Sequence, residues 1–466
     1  MRRLTLLAPA LLLAACTVGP DYTRPTMSTP PEFRGVMASP TERSLAEQAW
    51  WQIFPDETLQ TLIREGLAHN YDVRIAAARI LDARAQVTIA RSFQFPEARG
   101  FASAPYQRIE GTLSPLQTRE TLAPSGGLDL AYELDLWGRF RRGSEASRAE
   151  LLATEYGARF VITTFVSDLT SAYFLLRALD EELQIARSTL DSRTQSLTLV
   201  RRREAGGVSG LIDVRQSEIL VAGAAQTVPD IERQIEQTEN AISILLGRPP
   251  APVPRGRELR AQVAVTSLPA GVPSRLLERR PDVQQAEEVL HSATARIGVA
   301  KSEYFPRVFL SGSVGAGGLM VNGQMYGPQG IFALLPSLTV PIFNAGRVTA
   351  GVESAQARAE EAMLQYQLTL IGAFRDVSDS LVEYRKRREA RVQQEALAVA
   401  ARDTTRLANF RYTNGVTTYL EVLDSERQLF DSELGLIRLQ RDELLAVVRL
   451  YKALGGGWLE SDGRAQ

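Results

Sequence analysis

The sequence predicts a mixed fold, in which long α-helices are joined to membrane-type β-strands and the whole unit is built twice by internal duplication. Three observations predict it. A hairpin-tip motif, "RYTNGVTTYLEVLDSE" at 411–426, recurs in degraded form 208 positions earlier as "RREAGGVSGLIDVRQSE", pairing Gly207 with Gly415, Asp213 with Glu421 and Ser217-Glu218 with Ser425-Glu426. Two stretches, 138–205 and 346–413, lack proline and have little glycine. The segment "SGGLDLAYELDL" alternates large apolar residues (Leu128, Leu130, Tyr132, Leu134, Leu136) with Asp129, Ala131, Glu133 and Asp135.

The N-terminus, "MRRLTLLAPALLLAAC", has a cationic tip and then an apolar run ending in small residues, too short for a mature transmembrane helix. Residues 1–15 therefore read as a cleaved secretory signal. The only cysteine, Cys16, closes a Leu13-Ala14-Ala15-Cys16 sequence that resembles a bacterial lipobox, so it is the expected site of lipidation. Thr17 after the cysteine points to the outer membrane rather than the inner one. Several acyl chains on one residue would anchor the protein firmly. Residues 16–55 read as an extended, lipid-anchored segment.

The first repeat, 56–247, reads as a helix from about 56 to 93, strands at 97–110 and 123–136, a long helix at 138–205 and a returning helix at 210–246. The second, 274–455, repeats that order: a helix from about 274 to 304, strands at 307–317 and 331–342, a long helix at 346–413 and a returning helix at 418–454. "NYDVRIAAARI" and "RPDVQQAEEVL" align at an offset of 210, and the helical hairpins align at 208. The difference falls between the strands, where loops tolerate length change. Between the repeats, 248–273 is a proline-rich connector. The tail, 456–466, reads as disordered.

Each long helix would run roughly 100 Å, too long to wrap one globular core. In the first, Phe165, Leu169, Ala172, Leu176, Leu179, Leu183, Ala186 and Leu190 keep a 4-3 spacing that Arg193 interrupts. The returning helix has a matching line at Ile231, Ile235, Thr238, Ile242 and Leu245, so the pair should zip as an antiparallel coiled coil. The second hairpin reads as more polar and looser. Gly207 and Gly415 end the outgoing helices, where a left-handed residue is wanted. Thr418 and Glu421 have capping-box spacing for the return.

The alternating strand suits lipid on one side and water on the other, with Asp129, Glu133 and Asp135 toward an aqueous lumen. Four strands cannot close a membrane barrel, and an open edge is not tolerated in hydrocarbon. Closure must be shared: three copies would supply twelve strands and, likewise, a twelve-membered helical tube.

Other function classes find little support. With 53 basic and 54 acidic residues, no field recruits nucleic acid. His69 and His291 are far apart and read as plain helix residues without acidic neighbours at ligand spacing, so no metal or other cofactor is expected. "GSVGAGG" at 312–318 lacks the Gly-Lys-Ser/Thr of a phosphate loop. No nucleophile motif is present, and no enzyme is expected.

Six motifs in order, "TVGPDYTRP", "WWQIFPDETLQTLI", "YELDLWGRFRR", "ERRPDVQQAEE", "YFPRVFLSGSVG" and "RYTNGVTTYLEVLDSERQL", resemble the TolC-like outer-membrane efflux lipoproteins of the OprM/NodT type over residues 16–455. The resemblance implies a homotrimer with a twelve-stranded outer-membrane barrel, a periplasmic α-helical barrel and an equatorial belt. It implies a passive exit duct for drugs or other small molecules, docked on a periplasmic adaptor (membrane fusion protein) and an inner-membrane transporter, commonly of the RND class. It also implies a periplasmic gate at Leu420, Glu421 and Asp424, and a latch between hairpins at Asp213 and Tyr412. Glu421 equally fits a plain cap, and Asp213–Tyr412 an ordinary surface contact. The outer-membrane channel of a type I protein secretion system shares this architecture. A lipid-anchored periplasmic coiled-coil scaffold is an alternative of another class, but it has no use for an outward-facing Leu128–Leu136 stripe.

Overall fold

The computed structural model describes residues 17–27, 33–34, 45, 49–110, 119–262 and 279–456. Cys16, the signal, residues 263–273 of the connector and the tail from 457 lie outside the described residues. After a single turn at Trp50–Ile53, the elements are α1 (Glu57–His69), α2 (Tyr71–Ser92), β1 (Glu97–Ser103), β2 (Tyr106–Ile109), β3 (Arg119–Leu122), β4 (Ser125–Leu134), α3 (Arg139–Ala205) and α4 (Leu211–Leu245). The second half supplies α5 (Pro281–Ser302), β5 (Arg307–Val321), β6 (Gln324–Thr339), α6 (Arg347–Thr413) and α7 (Tyr419–Ala453). The two long helices have 67 residues each and the two returning helices 35 each, as duplication requires. The chain divides into two compact units.

One unit comprises Met1–Thr26, Arg79–Thr154 and Gln285–Tyr366, and it contains the sheet. The ladder runs β1-β4-β5-β6, with the β2–β3 hairpin continuing beyond β4 along β5. The strand expected at 97–110 is broken at Pro105, and the one expected at 123–136 forms as β4, beginning after Pro124 with β3 before it; a proline has no N–H to offer a ladder, so strand pairing stops at both. In the second repeat the strands run longer than expected. Asn322 (φ 48°) and Gly323 (φ 84°) form the tight turn between them, and Val321 pairs with Gln324.

Register sorts the side chains cleanly, because paired residues share a face. Leu128–Val314–Phe332, Leu130–Gly312–Leu334, Tyr132–Leu310–Pro336 and Leu134–Val308–Leu338 form successive rows of one face, which carries no charge. The other face holds Arg99 opposite Asp129, then Ser313, and Glu133 opposite Phe309, then Ser337. Phe332 is 82% exposed.

The foot of the sheet is fastened by sequence motifs. Trp137 Nε1 donates to the Pro306 carbonyl over 2.7 Å, and its ring stacks on Phe305 at 4.6 Å. The N-terminal segment crosses here: Val18 N donates to the Trp137 carbonyl over 3.1 Å. Gly19, at φ 109°, lies so near Gly298 that a Cβ would come within 2.4 Å of its Cα. Arg142 pairs with Asp21 and Arg24 with Glu287, both at 2.5 Å.

The other unit comprises Met27–Ala78, Glu155–Gln284 and Gln367–Gln466, and it is helical. The expected seam is buried at Phe165, Leu169, Leu176, Leu179 and Ala186 against Ile231, Ile235 and Ile242. The second hairpin is not looser, correcting the expectation. Val377, Leu381 and Tyr384 are buried in the same core, and α7 buries a continuous stripe that admits Glu426 and Glu443. Both hairpins share one core, so each covers the other's polar interruptions.

Two polar nodes fix the ends of this helical unit. Asp56 caps α1, accepting from Thr58 N (2.9 Å) and Leu59 N (3.2 Å). It also accepts from the Tyr173 hydroxyl (3.0 Å), Arg257 N (2.9 Å) and Gln262 Nε2 (2.8 Å), which ties the connector down. Arg280 of the "ERRPDV" motif is buried, pairs with Asp282 (2.6 Å) and Asp376 (3.2 Å), and donates to the Ala453 carbonyl that ends α7.

Candidate functional site

The hairpin tips are built alike in both repeats. Gly207 (φ 73°) and Gly415 (φ 74°) take the left-handed conformation that ends α3 and α6. Val208 N and Val416 N reach back to the carbonyls of Arg203 and Arg411 over 2.8 and 2.9 Å, satisfying helix-end acceptors. The capping box expected at Thr418 and Glu421 is not formed. Thr418 has the extended N-cap backbone but no side-chain cap bond, and Glu421 turns to Arg411, 3.8 Å away.

Leu420, Glu421 and Asp424 are all exposed and share one face of α7, while Val422, Leu423, Ser425 and Glu426 are buried on the other. Asp424 accepts from Gln428 one turn on, over 2.7 Å. The tips present further exposed apolar groups at Val208, Leu211, Ile212 and Val416.

Behind the tips the hairpins are pinned together. Leu197, Val200, Val214 and Leu220 of the first pack with Ala408, Tyr412, Tyr419, Val422 and Leu423 of the second. Burial raises the Tyr419 phenol to about 12. The latch expected between Asp213 and Tyr412 is not made, because the Tyr412 hydroxyl is buried without a hydrogen-bond partner. Arg203 makes the link instead, its guanidinium 4.6 Å from the Tyr412 ring centre and its Nη1 donating to the Tyr412 carbonyl over 3.3 Å. A cation over an aromatic face is drawn to the negative potential of the ring.

Sequence reasoning missed a second link. Arg193, which interrupts the heptad, is buried, donates to the carbonyls of Leu220 (3.1 Å) and Glu426 (3.4 Å), and lies 5.1 Å from the Phe430 ring. A charge at a seam position was itself the signal, since a cation buried there needs acceptors from more than one chain segment.

The three carboxylates expected to line a lumen separate. Asp129 stays on the charged face of the sheet. Glu133 is also on that face but accepts from Arg139 over 2.7 Å. Asp135 lies beyond the end of β4 and accepts from Phe140 N (3.1 Å) and Arg141 N (2.9 Å) as α3 begins, so it serves the helix start rather than a strand face. His291, read as lacking acidic neighbours, has two: Glu288 at 3.2 Å and Glu145 at 3.5 Å. The nearer one is a turn back on the same helix, a spacing visible in the sequence.

The family model described as "Outer membrane efflux protein" matches residues 62–248 and again 272–456. The chain is 35% identical over 471 residues to a probable efflux pump outer membrane protein, TtgC of Pseudomonas putida, covering 99% of this chain and 97% of that one. It is 31% identical over 457 residues to the cation efflux system protein CusC of Escherichia coli strain K12, covering 96% and 98%. The solved outer-membrane channel OprN superposes with a TM-score of 0.88 at 32% identity, over 95% of this chain and 100% of that one.

Proposed function

The chain belongs to the outer membrane efflux protein family, and on that premise we propose that three copies close a single duct through the outer membrane. The sheet carries this reading. Along the β1-β4-β5-β6 ladder one face is uncharged, the other bears acids, bases and hydroxyls, and β1 and β6 each have one partner among the described strands. A face without charge suits hydrocarbon, a charged face suits water, and two open edges in a bilayer demand further strands. Four strand rows from each of three copies make twelve.

The long hairpins then form the periplasmic part of the tube, and their tips its mouth. Leu420, Glu421 and Asp424 form the narrow ring, since they share the exposed face of α7. Threefold repetition would gather like charges there, attracting cations and favouring widening. Cys16 carries lipid at the outer-membrane surface. The duct is passive: it takes small molecules from a periplasmic adaptor and an inner-membrane transporter, of the RND class, which supplies the energy.

The test is purification of the full chain in detergent and insertion into planar bilayers. A heat-modifiable oligomer of three, with discrete single-channel steps, is expected. A monomeric protein that stays in solution without detergent and conducts nothing would sink the proposal.

A further inference from the structure

The unit that contains the sheet also holds a cavity of about 510 Å³ among its helices. Small residues from three helices form the floor: Gly143 and Ser147 of α3, Ala300 of α5, and Gly351 and Ser354 of α6. Phe93, just past α2, and Phe140 of α3 close one end, their rings stacked 5.8 Å apart with 16° between planes. No neighbour requires glycine at two of the floor positions. Gly143 and Gly351 lie inside helices, where glycine is about 1 kcal/mol worse than alanine. A Cβ on either would meet nothing within 4 Å. They are repeat equivalents at the offset of 208, so both copies of the long helix leave the same space open.

Three guanidinium groups line this space, Arg139, Arg296 and Arg358, against one carboxylate, Glu303. Arg139 is held by Glu133 at 2.7 Å and Glu303 at 3.5 Å, and Glu303 is shared with Arg307. Arg296 is paired with Glu150. Arg358 is exposed and has no hydrogen-bond or ion-pair partner among the described residues. Glu361, three residues on, lines the adjoining cavity instead. The phenylalanine pair and Arg139 also line a larger cavity, of about 920 Å³, that runs along the charged face of the sheet past Arg99 and Ser311. Gly298, two residues from both Arg296 and Ala300 and so on the far side of α5, is where the N-terminal segment lies. The space therefore opens toward the charged face of the sheet and away from that segment.

We propose that this cavity is a resting site for an amphiphilic organic anion on its way through the duct. A flat apolar body lies on the small-residue floor against the Phe93–Phe140 stack, and its carboxylate or sulfonate takes Arg358. This rests on the duct reading and adds a ligand class to it. A floor of glycine, alanine and serine admits a rigid ring system, and stacked phenylalanines offer such a ring both faces and edges. Arg358 selects the sign: an anion gains a charge-assisted hydrogen bond there, while a cation meets three arginines. The site is shallow and partly exposed, which suits passage, because a duct must release what it takes up.

The probe is naphthalenesulfonate, added to both sides of a planar bilayer that holds the full-length oligomer. Reversible interruptions of the single-channel current are expected. Neutral naphthalenemethanol and cationic naphthylmethylammonium, which share the ring system, should interrupt it far less at equal concentration. Arg358→Gln should weaken the sulfonate block roughly tenfold, as loss of one hydrogen bond to a charged group implies, and Arg358→Lys should weaken it less. Gly143→Leu fills the space with a better helix former, so it should abolish the block without loss of fold.

Channels that conduct in discrete steps but are not interrupted by the sulfonate, or are interrupted equally by all three probes, overturn this site and leave the duct standing. So does a sulfonate block that survives both Arg358→Gln and Gly143→Leu unchanged. A wild-type protein that gives no conductance steps overturns the duct itself.

Discussion

The Arg203 guanidinium lies 4.6 Å from the centre of the Tyr412 ring and donates to that residue's backbone carbonyl, while the Tyr412 hydroxyl is buried without a partner. The ring and the backbone, not the hydroxyl, therefore join the first hairpin to the second. Arg203→Ala should loosen the tips by about 1–2 kcal/mol, seen as faster amide exchange at 408–423 and larger single-channel steps. Tyr412→Phe should change neither. The reverse pattern would return the link to the hydroxyl.

Leu420 and Asp424 lie one turn apart on the exposed face of α7. In the narrow ring proposed for the mouth, they should limit current. Leu420→Ala with Asp424→Ala is expected to raise single-channel conductance and weaken cation selectivity. Unchanged conductance would move the constriction elsewhere.

Burial raises the Glu426 carboxyl above its ordinary value of 4.5, against the pull of Arg193 and of hydrogen bonds from Ser196 and Asn409. The folded state thus holds this proton more tightly than the unfolded chain does. The stabilisation is complete below pH 4.5 and is lost as pH rises through the folded-state value. Amide exchange behind the tips should accelerate as pH climbs from 4.5 toward neutrality, after correction for intrinsic rates. Glu426→Gln should flatten that dependence.

Burial alone would raise the Asp56 carboxyl, but the donors Gln262, Leu59 N, Tyr173 and Arg257 N outweigh it and hold the group below its ordinary 3.8. Its contribution is present above pH 3.8 and is lost as pH falls through the depressed value. Asp56→Ala should cost about 3–5 kcal/mol, because it strands several buried donors together. Helical circular dichroism during thermal unfolding would register the loss.

Leu334 sits mid-row on the uncharged face, and Ser313 on the opposite one. Leu334→Arg should block insertion, at about 2–4 kcal/mol for a cation near the bilayer midplane. Ser313→Arg should insert normally. Equal tolerance at both positions, judged by heat-modifiability, would mean that neither face meets lipid.

What the sequence could convey depended on period and repetition. The Phe165–Leu190 seam and its Ile231–Ile242 partner were legible because one spacing persists over many turns. The glycine stops at 207 and 415 were legible because a left-handed residue has few occupants. Alternation misled at Asp135, where parity ran past the end of β4 into the cap of α3. Local punctuation was under-read: Pro105 and Pro124 break strands, and Asn322-Gly323 turns a hairpin. The partner of Tyr412 was out of reach, because Arg203 comes from the other hairpin and no spacing within either connects them.

Val18 is bonded to the Trp137 backbone at the foot of the sheet, and Thr17 lies so close to Gly138 that a Cβ there would come within 2.8 Å of it. Cys16 is one residue further on, a reach of about 3.8 Å. Acyl chains on that residue, where we propose the lipid is carried, would be held beside the foot of the sheet on a leash too short to drift. The tether would then act as a plumb line, fixing how deep the strands sit.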